Sequence, residues 1–298
     1  MGAKIKGRPV VVTGGGSGIG AALALEAANR GAGHITVSDV DLEDAQAVAE
    51  SIAAQGGAAA ARQCDVTDAA AVEELAQAVA AEHGVPALVC ANAGVMSAMA
   101  PLLHTASSDA EWVVRVNVLG TINTLQSFGR LMADGQEQGW LMATGSEHSV
   151  GVPHANSGAY TASKHAVLGM CAVLRAELPG HVGISVVCPG LTVSKLWNAT
   201  RQRPQQYGGN ADSDPGAGVF MEQMGMSAET VAQRAFDGIA EGHFLIPTHY
   251  HARAYAQQRA DDMAEAYDRL AEIDTADYDL NRTVAAFLTA AAEDQEAR

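Results

Sequence analysis

The chain has 298 residues, with 18 Lys plus Arg against 34 Asp plus Glu and a formal charge of −16. A surface this acidic excludes nucleic acid and anionic membranes as partners, because both require a basic face. No run reaches about eighteen apolar residues, and the first strand begins within about eight residues of Met1, so the expectation is a cytoplasmic protein with no signal peptide or membrane span.

Residues 8–12, Arg-Pro-Val-Val-Val, form a short apolar run that predicts a strand buried on both faces. Thr13-Gly-Gly-Gly-Ser-Gly-Ile-Gly20 follows at once, and residues 21–29 are strong helix formers. A strand, a glycine turn and a helix start make an anion site, where backbone N–H groups and the positive helix end face a phosphate. The spacing is Gly14-x-x-x-Gly18-x-Gly20 rather than the general Gly-x-Gly-x-x-Gly. Residues 34–38 predict the second strand, ending in Asp39. A carboxylate there is placed to accept hydrogen bonds from an adenosine ribose and to repel a 2′-phosphate. A helix over 42–55 and a third strand over 62–66 then bring Asp65 and Val66 to the adenine end of the same crevice, and 72–81 is a further helix.

The fourth strand, 87–91, runs into Asn92-Ala93-Gly94, and 107–132 predicts one long helix carrying Asn117. Residues 140–144 form the fifth strand, with Ser146 just beyond its end. Tyr160 and Lys164 stand four apart in the next helix, which continues to about 178, so the phenol and the ammonium share a face. A neighbouring cation favours the ionised phenol and draws it toward a usable acid–base range. Ser146 can hold a substrate oxygen against that tyrosine; Ser149 is a rival with a worse register from the strand. The sixth strand, 183–188, leads to Pro189-Gly190. Residues 191–226 read as an irregular lobe rich in Trp, Tyr, Phe and Met, and a helix from Ser227 and a seventh strand over 244–246 follow. Helices are predicted over 250–273 and 282–293.

Cys64, Cys90, Cys171 and Cys188 all lie among apolar neighbours within predicted elements. They form no Cys-x-x-Cys pair and adjoin no histidine cluster, so buried free thiols are expected, with neither a metal site nor a disulfide framework. Strands alternating with helices predict an α/β, Rossmann-type doubly wound fold: a seven-stranded parallel sheet with helices on both faces and ligands at the strand C-termini. It is read as one domain over 1–298, with the lobe at 191–226 and a helical extension at 249–298.

Taken together, Thr-Gly-x-x-x-Gly-x-Gly, Asn-Ala-Gly, the helical Asn, Ser, Tyr-x-x-x-Lys and Pro-Gly resemble the short-chain dehydrogenase/reductase family in order and approximate spacing over residues 8 to about 248. The resemblance implies that Gly14, Gly18, Gly20, Asp39, Asp65, Val66 and Asn92 hold a dinucleotide. Ser17, Ile19, Ala93, Gly94, Pro189, Gly190 and Ser194 join them, together with Tyr160 and Lys164. It implies a catalytic tetrad of Asn117, Ser146, Tyr160 and Lys164, and a homodimer or homotetramer. Ser146 precedes Tyr160 by slightly more than the commonest spacing, and Ser194 stands where the family usually has Thr. Arg-Pro-x-x-Tyr-Gly in the lobe, with the extension, is loosely similar to members acting on bulky aryl alcohols.

The expected function is NAD-dependent interconversion of a secondary alcohol and a ketone, with Tyr160 moving the proton. Lys164 would hold the nicotinamide ribose, Ser146 would orient the substrate oxygen, and Asn117 would keep a water. The rivals are a reductase of a small or activated metabolite and a dinucleotide-sensing protein without chemistry.

Overall fold

The computed structural model describes residues 2–211 and 215–271. The chain divides into two compact units, residues 1–256 and 257–298. The predicted helix over 282–293 lies outside the described residues, as do the last two residues of the one predicted over 250–273.

Seven strands form one sheet in the order β3-β2-β1-β4-β5-β6-β7, with every neighbouring pair parallel. They are β1 Pro9–Thr13, β2 His34–Asp39, β3 Ala59–Gln63, β4 Leu88–Ala91, β5 Gly139–Thr144, β6 Val182–Cys188 and β7 Leu245–Pro247. Strand side chains alternate between faces, and both faces are covered. Val10 and Val12 join one apolar layer, which includes Leu23, Ile52 and Ile239. Val11 joins the other, with Val79, Phe128 and Val167. The first layer belongs to helices α1 Gly18–Asn29, α2 Leu42–Ala54 and α9 Ala228–Glu241. The second belongs to α3 Ala69–His83, α5 Thr121–Asp134 and α7 Gly158–Glu177. Each large side chain so buried contributes roughly 1.5–3 kcal/mol, which is why a continuous valine run sets the sheet's centre.

Three elements differ from the sequence expectation. The third strand starts three residues earlier, because Ala59, Ala60 and Ala61 pair with Ile35, Thr36 and Val37; backbone pairing overrides alanine's helix preference there. Asp65 and Val66 therefore lie just past the strand end, and Cys64 with them. The long helix over 107–132 is broken into α4 Ser107–Val114, a π-helical turn Arg115–Gly120, and α5. From the first turn of α5, Thr121 Oγ1 and Thr124 Oγ1 donate back to the carbonyls of Asn117 and Gly120, taking acceptors the helix ladder would use. The lobe is not irregular: it holds 3₁₀ turns at Leu196–Gln202 and Gln205–Tyr207 and a helix α8, Pro215–Met224. The last described helix, α10, spans Ala252–Ala271.

Candidate active site

The glycine loop between β1 and α1 is shaped so that its backbone lies bare. Gly14 has φ +62°, and a Cβ there would sit 2.6 Å from Ala93 Cα. A Cβ on Gly20 would fall 1.9 Å from the Gly14 carbonyl oxygen, so α1 can start this close to the loop only with glycine. Asn92 locks the arrangement. Its Nδ2 donates to the carbonyls of Thr13 and Gly14 at 3.2 and 3.1 Å, and its Oδ1 accepts from Thr144 Oγ1 at 2.9 Å. The loop is thereby tied to β5, and the Asn92 side chain ties the cradle together from behind. Such a bare loop at a helix start fits a dinucleotide pyrophosphate.

At the tip of β2, Asp39 Oδ2 accepts from the Gly16 N–H at 2.9 Å and Oδ1 from the Asp41 N–H at 3.1 Å. Burial pushes its carboxyl above the ordinary range, against those two backbone bonds. Asp65 accepts from the Thr67 N–H, and Val66 is buried against Gly120. Two cations that sequence spacing did not associate with this end come from the lobe: Lys195 Nζ and Arg201 Nη2 lie 3.4 and 3.0 Å from Asp44 Oδ2.

The chemistry-bearing side chains converge at the ends of β5 and β6. Tyr160 and Lys164, both buried, sit on one face of α7, with Lys164 Nζ 5.6 Å from the phenol ring centroid. Lys164 Nζ donates to the Thr144 carbonyl at 2.8 Å. Ser146 caps the short helix α6, Glu147–Val150, by accepting from the His148 N–H, and it neighbours Tyr160, whose ionised form it favours. Ser149 is committed elsewhere: its Oγ donates to the Lys164 carbonyl at 2.7 Å and accepts from the Ser146 N–H at 3.1 Å.

One electrostatic expectation is corrected. Burial pushes the Tyr160 phenol up to about 12, with the Glu147 carboxylate adding to the rise and the neighbouring Ser146 side chain only partly offsetting it. Burial also brings the Lys164 ammonium down to about 8. Sequence spacing shows that the two groups are neighbours but not that both are desolvated, and desolvation decides the sign.

Asn117 stands apart. Its Oδ1 accepts from the Val95 N–H at 2.8 Å, and its Nδ2 donates to the Val95 carbonyl at 2.9 Å and to Ser163 Oγ at 3.0 Å. Both amide hydrogens are spent tying the segment after β4 to α7. A Cβ on Gly94 would make ordinary contacts with Asn117 Oδ1 at 3.4 Å and Lys164 Nζ at 3.5 Å, which places Gly94 beside both side chains.

All the sequence-derived residues except Asn117 line one cavity of about 530 Å³. Met96, Trp197, Tyr207, Phe220 and Met221 line it too, most of them from the lobe. So do Glu147, His148 and His154, which the motif reading did not select; the signal available was Glu147-His148 directly after Ser146. His148 meets the Tyr160 ring edge-on at 5.1 Å, and burial lowers its pKa to about 4.

Comparison with known proteins agrees with this geometry. The family model described as short chain dehydrogenase matches residues 8–205. The protein named "Probable oxidoreductase EphD" from Mycobacterium tuberculosis is 39% identical over 183 residues, 61% of this chain. That alignment covers 30% of the relative, so the chain spans less than a third of that protein's length. The 1-deoxy-11-beta-hydroxypentalenate dehydrogenase of Streptomyces exfoliatus is 31% identical over 258 residues, covering 86% of this chain and 88% of the relative. A short-chain dehydrogenase/reductase from Burkholderia phymatum, crystallised with NAD, superposes with a TM-score of 0.82 at 30% identity, over 88% of this chain and 96% of that one. Fold, motif order and sequence likeness coincide: the chain belongs to the short-chain dehydrogenase family.

Proposed function

We propose that the protein is an NAD-dependent oxidoreductase that interconverts a secondary alcohol and a ketone. The observation that carries this reading is the convergence of Ser146, Tyr160, Lys164 and the bare glycine cradle on one cavity. NAD, when bound, supplies the hydride acceptor or donor. The chain's own part is proton handling and positioning. Ser146 and Tyr160 together present hydroxyl groups to a substrate oxygen. With its pKa near 12 the phenol is protonated at neutral pH, the form that donates to a ketone oxygen. Lys164, anchored on the Thr144 carbonyl, would reach the nicotinamide ribose. Asn117 acts by holding α7 against the segment after β4.

NAD is favoured over NADP because Asp39 places a carboxylate at the ribose-reading position, while Lys195 and Arg201 are paired with Asp44. The Burkholderia relative's complex with NAD supports the same choice. The apolar lobe wall favours a bulky apolar or aromatic substrate. A panel of aromatic, steroidal and aliphatic secondary alcohols, offered with NAD and with NADP, tests the reading through absorbance of the reduced cofactor. Turnover of bulky alcohols with a higher kcat/KM for NAD is expected. No turnover of any alcohol, or a preference for NADP, would contradict it.

A further inference from the structure

A second constellation sits in the cavity wall beside the proposed catalytic groups and has no part in hydride or proton transfer. Glu147 follows Ser146 into α6, and its side chain is only 7% exposed. The chain then turns back through two residues in the left-handed region, Gly151 at φ +138° and Asn156 at φ +67°. This reversal returns His154 to the carboxylate, with Nε2 3.0 Å from Glu147 Oε1. The His148 ring lies 4.6 Å from that of His154. One donor atom from each of Glu147, His148 and His154 falls within 4.8 Å of the others.

We propose that these three residues form a binding site for a divalent transition-metal ion of the zinc type, opening onto the cavity. Two imidazoles and one carboxylate are the donor set of an open zinc site, in which three protein ligands leave a fourth position for water or an added oxygen ligand. All three line the cavity, so the fourth position faces the space a substrate would occupy. The surroundings are those such a site needs. Thr161 Oγ1 lies 2.7 Å from His148 Nδ1, which fixes the ring and leaves Nε2 as the donor. His251 Nε2 stands 2.7 Å from Glu147 Oε2, where it can steady the carboxylate from behind. Oε2 is buried and has no hydrogen-bond partner. Glu147 thus offers Oε1 on the side of His154 while Oε2 lies against His251.

The cysteines gave no hint of this site, because the donors are histidines and a glutamate brought together by the turn at 151–156. The proposal does not depend on the NAD-dependent reading, since its test reads binding alone. Full-length protein, stripped with a chelator, is titrated with Zn²⁺ at neutral pH against a chromophoric competitor. One ion per chain is expected. His154→Ala, at a half-exposed position, should weaken binding about tenfold or more while leaving the melting temperature of the stripped protein unchanged. Thr161→Ala, acting through His148, should weaken it by about 10–100-fold. His83→Ala, in the separate stacked pair with His34 beside Glu82, should leave it unaltered. Absence of binding would overturn the proposal, as would binding that survives both His154→Ala and Thr161→Ala or is lost in His83→Ala.

Discussion

At the scale of single residues, burial sets the protonation states that the chemistry would use. Lys164 titrates near 8 in the folded chain against an ordinary 10.5, and Tyr160 near 12. As pH rises through about 8, Lys164 loses its charge while the phenol keeps its proton. Ketone reduction should therefore hold its kcat/KM below that pH and decline above it. A reductive profile flat to about pH 10, the ordinary range of a lysine, would show that Lys164 keeps its charge and that the assignment is wrong. Asp39 makes a second prediction. Its two backbone bonds hold the carboxylate at the ribose end, so Asp39→Ala should raise the NADP-to-NAD ratio of kcat/KM by about tenfold, a change of about 1.4 kcal/mol. An unchanged ratio would transfer the discrimination to Asp44 and its two lobe cations.

At the scale of elements, the loop between β1 and α1 is the least tolerant feature. Gly20→Ala drives a methyl against the Gly14 carbonyl, a backbone atom that cannot swing aside. A loss of about 1–3 kcal/mol of stability is expected by analogy with overpacking, together with loss of NAD binding by calorimetry. Retained binding with an unchanged melting temperature would refute the tight cradle. The strands were legible in the sequence because valine runs bounded by glycine carry their own signal, as in β1 and β6. β3 was misplaced because its alanines carry none, and only pairing with β2 makes them a strand. The Tyr160–Lys164 face followed directly from helical spacing. The π-helical turn at Arg115–Gly120 did not, since it depends on hydroxyls of Thr121 and Thr124 reaching back to the ladder. The meeting of Glu147, His148 and His154 was not legible because it depends on a loop reversal that leaves no periodic trace.

At the scale of the whole molecule, the residues of the sheet and of the cavity lie within residues 1–256. No helix among the described residues is long and apolar enough to cross a membrane. In α10 and just before it, Tyr250, Tyr255, Met263, Tyr267 and Leu270 are all exposed in the single chain. We propose a homodimer or homotetramer, as the family resemblance implies, with this apolar stripe contributing to the assembly. A chain ending at Ala256 should retain its melting temperature and NAD binding but show a lower mass by light scattering. An unchanged mass would mean that residues beyond 256 take no part in assembly.

The central claim is that Tyr160 moves the proton in an NAD-dependent reaction. Tyr160→Phe keeps the ring that packs against His148 and removes only the phenol hydroxyl. With an alcohol that the wild type oxidises, turnover of this variant is measured beside its NAD dissociation constant. The account predicts turnover lower by about 10²–10⁴-fold with NAD affinity nearly unchanged. Near-normal turnover in Tyr160→Phe would contradict it.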